Sequence, residues 1–323
     1  MSIVPAALLL LSAGFPQAGM ASSAQDASDT DVLVTANDAA NRLTVGVKLG
    51  EHGPFPFMID TGAQNTVIAN TLVSRLALIS KARAKLISVA GFTTVDTVEL
   101  DEVVLGRRSF YGLIAPVLLR SDIGADGILG LDSLQDQRVL IDFRKGLMAV
   151  GDARTLGGDG GFQIVVTARR KSGQLIMTDA TLNGVRVNVV IDTGSDTTLG
   201  NRALQLALGR KGRATTPTEL RSVTGQSLAA EVGYASDLKL PGATITSVVI
   251  AYSDSPTFAY LGLDKKPTLL LGMRELRVFP RVAIDFKTRK ILFQLPRTGD
   301  PDYFYDVAPM PPAAPTKPAK PAN

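Results

Sequence analysis

The chain has 323 residues, 45% hydrophobic and 20% charged, with a formal net charge of +4, the balance of a globular protein long enough for two lobes. It has no cysteine and one histidine, which excludes a disulfide framework, a thiolate nucleophile, and thiolate or histidine-rich zinc sites; no metal or cofactor is expected. The small basic excess is scattered and forms no stripe with aromatics, so no nucleic acid partner is expected either.

Residues 1–24 read as a signal peptide: Val4 to Leu11 is a short apolar core, and Ser22-Ser23-Ala24 offers small residues for cleavage. The run is too short for a stable membrane span. No Lys or Arg precedes it, so export to the periplasm is the expectation and the cytoplasm the alternative. Residues 25–39, rich in Asp, Ala, Ser and Thr, read as a flexible lead-in.

A first lobe is expected over 40–152. Leu43 to Leu49 alternates as a strand, and Phe55 to Ile59 runs up to Asp60. A short helical pattern surrounds Leu72 and Leu76. Lys85 to Leu100 reads as a hairpin with Ala90-Gly91 near its tip, and Val139 to Phe143 as a late strand. Residues 153–161, with Gly157-Gly158-Asp159-Gly160-Gly161, read as a flexible interlobe linker. A second lobe over 162–297 repeats the order. Residues 298–323 form a Pro- and Ala-rich tail.

The repeat is legible in four landmarks. Ile59-Asp60-Thr61-Gly62-Ala63 returns as Ile191-Asp192-Thr193-Gly194-Ser195. Ser88-Val89-Ala90-Gly91 returns as Ser222-Val223-Thr224-Gly225. Ile128-Leu129-Gly130 returns as Leu270-Leu271-Gly272, and Val139 to Phe143 as Val282 to Phe286. Each landmark acid, Asp60 and Asp192, ends an apolar run where a carboxylate normally costs stability. The pattern predicts a mostly β protein of two similar lobes related by pseudo-two-fold symmetry, with a few short helices.

Such symmetry brings Asp60 and Asp192 together. Two carboxylates about 3 Å apart share one proton. The ionised member then takes a proton from a water and the protonated one polarises a carbonyl, so an amide is hydrolysed without a covalent intermediate. Gly62 and Gly194 are expected to point N–H groups at the carboxylates, and Thr61 and Thr193 to bond across the lobes. Ser195 has a hydroxyl for the Asp192 carboxylate where Ala63 has none, so Asp192 is expected to ionise more easily. Ala90, Gly91 and Phe92, with Thr224 and Gly225, are expected to form two flaps over an extended polypeptide substrate. Asp142 and Asp285, each followed by Phe, read as structural.

These residues resemble the aspartic proteases, in particular their retropepsin-like branch. That family's signature is an apolar pair, Asp-Thr-Gly, then Ala or Ser, completed later by an apolar pair and Gly. Here it occurs twice, completed by Gly130 and Gly272. Retroviral-type enzymes supply one lobe per chain and dimerise. Two joined lobes imply a catalytic monomer acting as an aspartic endopeptidase. Two alternatives stay open: a non-catalytic peptide-binding or scaffold protein, and an amide hydrolase of a non-protein polymer such as peptidoglycan.

Overall fold

The computed structural model describes residues 43–209 and 214–297, together with the short strands Leu10–Leu11, Asp31–Val34, Ala36–Asn37 and Val307–Pro309. Among these residues the protein is mostly β, with five short helices. The rest of the expected signal peptide, lead-in and tail lies outside the described residues.

In the first lobe the strands are β1 (Leu43–Leu49), β2 (His52–Ile59), β3 (Val67–Ala69), β4 (Ser80–Ser88), β5 (Gly91–Leu105), β6 (Arg108–Leu118) and β7 (Gly127–Leu129). Helices α1 (Asn70–Arg75) and α2 (Arg120–Ile123) join them. Their order in the sheet is β4-β5-β6-β3-β7-β2-β1. Leu10–Leu11 pairs along β4, and Ala36–Asn37 along β1. Strands β8 (Arg138–Asp142) and β9 (Leu147–Gly151) leave this sheet.

The second lobe carries β10 (Ile164–Thr167), β11 (Arg169–Lys171), β12 (Gln174–Leu182), β13 (Val185–Ile191), β14 (Thr198–Gly200), α3 (Arg202–Leu208), β15 (Thr216–Arg221), β16 (Ser227–Leu240), β17 (Ala243–Tyr252), α4 (Pro256–Tyr260), β18 (Thr268–Leu271), α5 (Met273–Leu276), β19 (Arg281–Asp285) and β20 (Lys290–Phe293). Its main sheet runs β11-β12-β13-β18-β14-β17-β16-β15. The duplication is visible in the register. β2 lies parallel to β7 with Ile59 opposite Leu129, and β13 lies parallel to β18 with Ile191 opposite Leu271. Where they lie buried, at Phe57-Met58-Ile59 and Val189-Val190-Ile191, these strands read as continuous apolar runs. Each delivers its Asp at the carboxyl end, the edge where functional groups of parallel strands collect.

A third sheet joins the lobes, in the order β10-β20-β19-β8-β9 with Asp31–Val34 beyond β9. That last strand falls inside the stretch read as lead-in; its backbone supplies a ladder for the edge of β9. Strands β8 and β19 run antiparallel about Leu140 and Ala283, so Arg138 faces Asp285 and Asp142 faces Arg281. Arg138 is buried. Its Nε and one terminal nitrogen donate to Asp285 Oδ2 at 3.1 and 3.0 Å. It also donates to Gly158 O, and to Asp159 Oδ1 at 2.7 Å. The glycine-rich segment read as a flexible linker is therefore tied to this sheet, because its carboxylate, Asp159, is claimed by Arg138 and, at 2.8 Å, by Lys290. Those two cations, Lys290 first, hold the Asp159 carboxyl below its ordinary range.

Candidate active site

The turn after β2 places Asp60, and the turn after β13 places Asp192. Each acid's own N–H completes the parallel ladder: Asp60 N–H donates to Leu129 O at 3.1 Å, and Asp192 N–H to Leu271 O at 3.0 Å. Both side chains are buried, at 0% and 1% exposure, where an unsolvated carboxylate is expensive. Main-chain donors offset that cost. Asp60 Oδ1 accepts from Gly62 N–H at 2.7 Å and Ala63 N–H at 3.0 Å. Asp192 Oδ1 accepts from Gly194 N–H at 3.1 Å. Burial still dominates at Asp192 and pushes its carboxyl up to about 7, against the N–H groups of Gly194 and Ser195.

The two turns are locked together by their threonines. Thr61 N–H donates to Thr193 Oγ1 at 3.0 Å, and Thr193 N–H to Thr61 Oγ1 at 3.3 Å. Each hydroxyl then donates to the residue before the opposite acid, Thr61 to Ile191 O at 3.1 Å and Thr193 to Ile59 O at 2.9 Å. Four reciprocal bonds between residues about 130 positions apart bring the two Asp-bearing turns side by side.

Gly130 and Gly272 end the strands behind the acids, and both positions need a missing side chain. A Cβ at Gly130 would lie 2.5 Å from the Asn65 carbonyl carbon, and one at Gly272 2.8 Å from that of Thr197. The close approach of main chain to main chain lets each loop fold back onto its own strand.

One expectation fails here. The Ser195 hydroxyl does not reach Asp192; it donates to Thr197 O at 2.9 Å and accepts from Thr197 N–H at 3.2 Å. A serine beside a free main chain finds its partner locally, as small hydroxyl residues commonly do. The asymmetry expected from Ser195 is absent, and burial instead favours the proton-bearing form of Asp192.

The hairpin tips meet. The β4–β5 tip carries Ala90, Gly91 and Phe92; the β15–β16 tip carries Thr224 and Gly225. Ser88 Oγ and Thr224 Oγ1 lie 3.3 Å apart, and Gln226 Nε2 donates to Phe92 O at 3.3 Å. The Phe92 ring is half exposed beneath Lys85 Nζ. The tips also exchange valines. Val89 is fully buried in a cluster of second-lobe residues that includes Leu199, Phe258 and Leu270, and Val223 in a first-lobe cluster that includes Met58, Val67 and Ile128.

Several contributors gave no sequence signal. Gln174 Nε2 donates to Gly62 O at 2.6 Å from the other lobe. Arg221 reaches from β15 to Asp122 Oδ1 in α2, at 2.8 Å. Tyr260 O–H donates to Gln64 Oε1 at 3.2 Å. Each is a single cross-lobe contact between residues of common type, which no local pattern marks. Among the described residues no cluster of His, Cys, Asp and Glu has the makings of a metal site.

Among curated proteins none matches the chain significantly. A family model described as aspartyl protease matches residues 45–133 and 178–274, more than half of the chain. The two matched segments contain the two buried acids and the threonines that lock them. On that match and the doubled architecture, the chain belongs to the aspartyl protease family.

Proposed function

We propose that the protein is an aspartic endopeptidase in which Asp60 and Asp192 form one catalytic pair across the lobe boundary. The observation that carries this reading is the reciprocal bonding of Thr61 and Thr193, which holds two buried acids on facing, equivalent turns. Asp60 is the general base. Two N–H donors on one oxygen favour its ionised form and leave it to take a proton from the attacking water. Asp192 carries the shared proton, because its Gly194 N–H donor at 3.1 Å offsets burial less than the donors at 2.7 and 3.0 Å do at Asp60, and it donates that proton to the carbonyl oxygen of the scissile amide. Water adds to the carbonyl carbon, giving a tetrahedral diol. Collapse of the diol expels the amine, which takes up a proton from the pair.

An extended polypeptide reaches the acids only when the two hairpin tips part. Their main chains then supply hydrogen bonds along the substrate. With both acids on one chain, the working unit is a monomer. The apolar stretch from Val4 to Leu11 is the basis for placing the enzyme in the periplasm. No described helix is long and apolar enough to cross a membrane.

The test is cleavage of a diverse peptide library between about pH 3 and 8, read by mass spectrometry, for wild type, Asp60→Asn and Asp192→Asn. Each substitution is expected to lower the rate by about 10²–10⁴-fold or more. Peptide binding without product by folded wild type would favour a scaffold role. Inactivity on peptides with activity on cross-linked peptidoglycan would favour the non-protein amide.

A further inference from the structure

Behind each Asp loop lies a second acid that the hydrolytic steps do not use. In the first lobe Thr66 Oγ1 donates to Asp132 Oδ1 at 2.6 Å, and Thr66 N–H to Asp132 Oδ2 at 2.8 Å. The same hydroxyl accepts from Gly130 N–H at 3.3 Å. In the second lobe Thr198 Oγ1 donates to Glu275 Oε2 and accepts from Gly272 N–H at 3.0 Å. Both threonines are fully buried, and Glu275 is 3% exposed. The residues next to these glycines, Leu129 and Leu271, present the carbonyls that receive Asp60 N–H and Asp192 N–H. A continuous path therefore runs from acid to threonine to glycine to catalytic main chain, once per lobe.

We propose that Asp132 and Glu275 are positioning residues of the two Asp loops, each acting through its threonine on the strand end that carries the catalytic main chain. The proposal rests on the endopeptidase reading. Burial pushes both carboxyls above their ordinary range, and the two braces differ in the donors that oppose it. Asp132 receives donors on both oxygens, from Thr66 N–H and Oγ1, with Ser133 adding to them. Glu275 has Thr198 and its own N–H, with Arg274 nearby as the favourable charge and Asp196 as the unfavourable one. Burial pushes the Glu275 carboxyl up to about 7, against those donors. Its ionisation leaves a buried charge next to Asp196, under the loop that holds Asp192. The second loop then loosens over the same pH range in which the pair itself loses its proton.

The test compares wild type, Glu275→Gln, Glu275→Ala and Asp132→Asn. It uses kcat and KM across pH, and hydrogen exchange of the amides in segments 60–63, 192–195 and 272–275. Glu275→Ala is expected to lower kcat about tenfold or more, with KM within about twofold. Glu275→Gln keeps an acceptor for Thr198. It should recover most of that loss and make the alkaline limb of kcat shallower, from about two protons towards one. Exchange at 192–195 should accelerate above neutral pH in wild type, beyond the intrinsic dependence, and not in Glu275→Gln. Asp132→Asn retains only one acceptor oxygen and should speed exchange at 60–63 alone. A Glu275→Gln enzyme whose pH profile and exchange coincide with wild type overturns the pH dependence, and a Glu275→Ala enzyme with wild-type kcat and exchange overturns the proposal. So does a Glu275→Ala loss that merely follows the folded fraction. If folded wild type cleaves nothing, the endopeptidase reading fails, and the exchange comparison still decides the brace.

Discussion

At the scale of single residues, the threonine exchange is the feature most open to direct test. Thr193→Val removes the acceptor of Thr61 N–H and the donor to Ile59 O while keeping the side-chain shape. It leaves a buried N–H without its partner, which costs about 1–3 kcal/mol. Urea unfolding should show that loss. Peptide cleavage should fall by about 10²-fold if the loops shift by as little as about 1 Å. Thr193→Ser keeps the hydroxyl and should retain most of both. Asp192 supplies a pH prediction. Its folded carboxyl sits above the ordinary value of 3.8, at about 7, so the folded state binds the proton more tightly than the unfolded chain. The stability this contributes is fully present below about pH 4 and is lost as pH rises to about 7. Wild type should therefore show a higher urea midpoint near pH 4 than near pH 8, and Asp192→Asn should flatten that difference. A flat wild-type profile with an unaltered mutant would remove the assignment of the proton to Asp192.

At the scale of elements, the strand ends behind the acids are the least tolerant of added bulk. Gly130→Ala places a Cβ against the Asn65 main chain, which has no rotamer with which to yield. A cost of about 1–3 kcal/mol or more is expected from overpacking alone. Gly184→Ala is the control. Gly184 has a positive φ of 78° but no atom near its would-be Cβ, so only the backbone conformation is penalised, by roughly 1 kcal/mol. Thermal unfolding of the two variants separates contact from conformation. The hairpin tips make a different prediction. The first tip is held by Val89 among apolar neighbours, whereas the second has, besides Val223, the Arg221–Asp122 pair. Arg221→Ala should raise amide exchange in residues 222–227 several-fold and in 88–92 less, since buried Val89 holds the first tip when its bonds to Thr224 and Gln226 loosen.

For the whole molecule, the sheet joining the lobes is a further tie between them, beside the threonine exchange. Arg138 and Asp285 are both buried, so Asp285→Ala leaves the guanidinium with Asp159 and Gly158 O and without its buried carboxylate, and should cost about 3 kcal/mol. The pseudo-symmetric pair, Arg281 with Asp142 at 3.8 Å, is more exposed, and Asp142→Ala should cost about 1 kcal/mol or less. Denaturation monitored separately in each lobe would show whether Asp285→Ala also uncouples them. The duplicated motifs, matched strands and closing glycines made the two-lobed β architecture legible, because each is a local pattern with a physical reason for its spacing. The second acids were harder to see. Asp132 follows Gly130 by two positions, whereas Glu275 follows Gly272 by three. The longer Glu side chain reaches the equivalent threonine from one residue further along, and that offset hides the equivalence from any alignment of the halves.

By itself, the sequence marked the residues to which the chemistry is assigned in our proposal: two acids at the ends of apolar strands, two threonines, and the glycines that let main chains close on one another. Periodicity and turn chemistry act over a few residues, so they survive in a linear reading. Only the tertiary structure decided that the Ser195 hydroxyl turns to Thr197, that Arg138 claims the glycine-rich segment, and that each hairpin tip buries its valine in the other lobe. Those outcomes depend on which of several reachable partners lies nearest after the lobes have packed. That competition is settled by burial and distance across more than a hundred residues of chain.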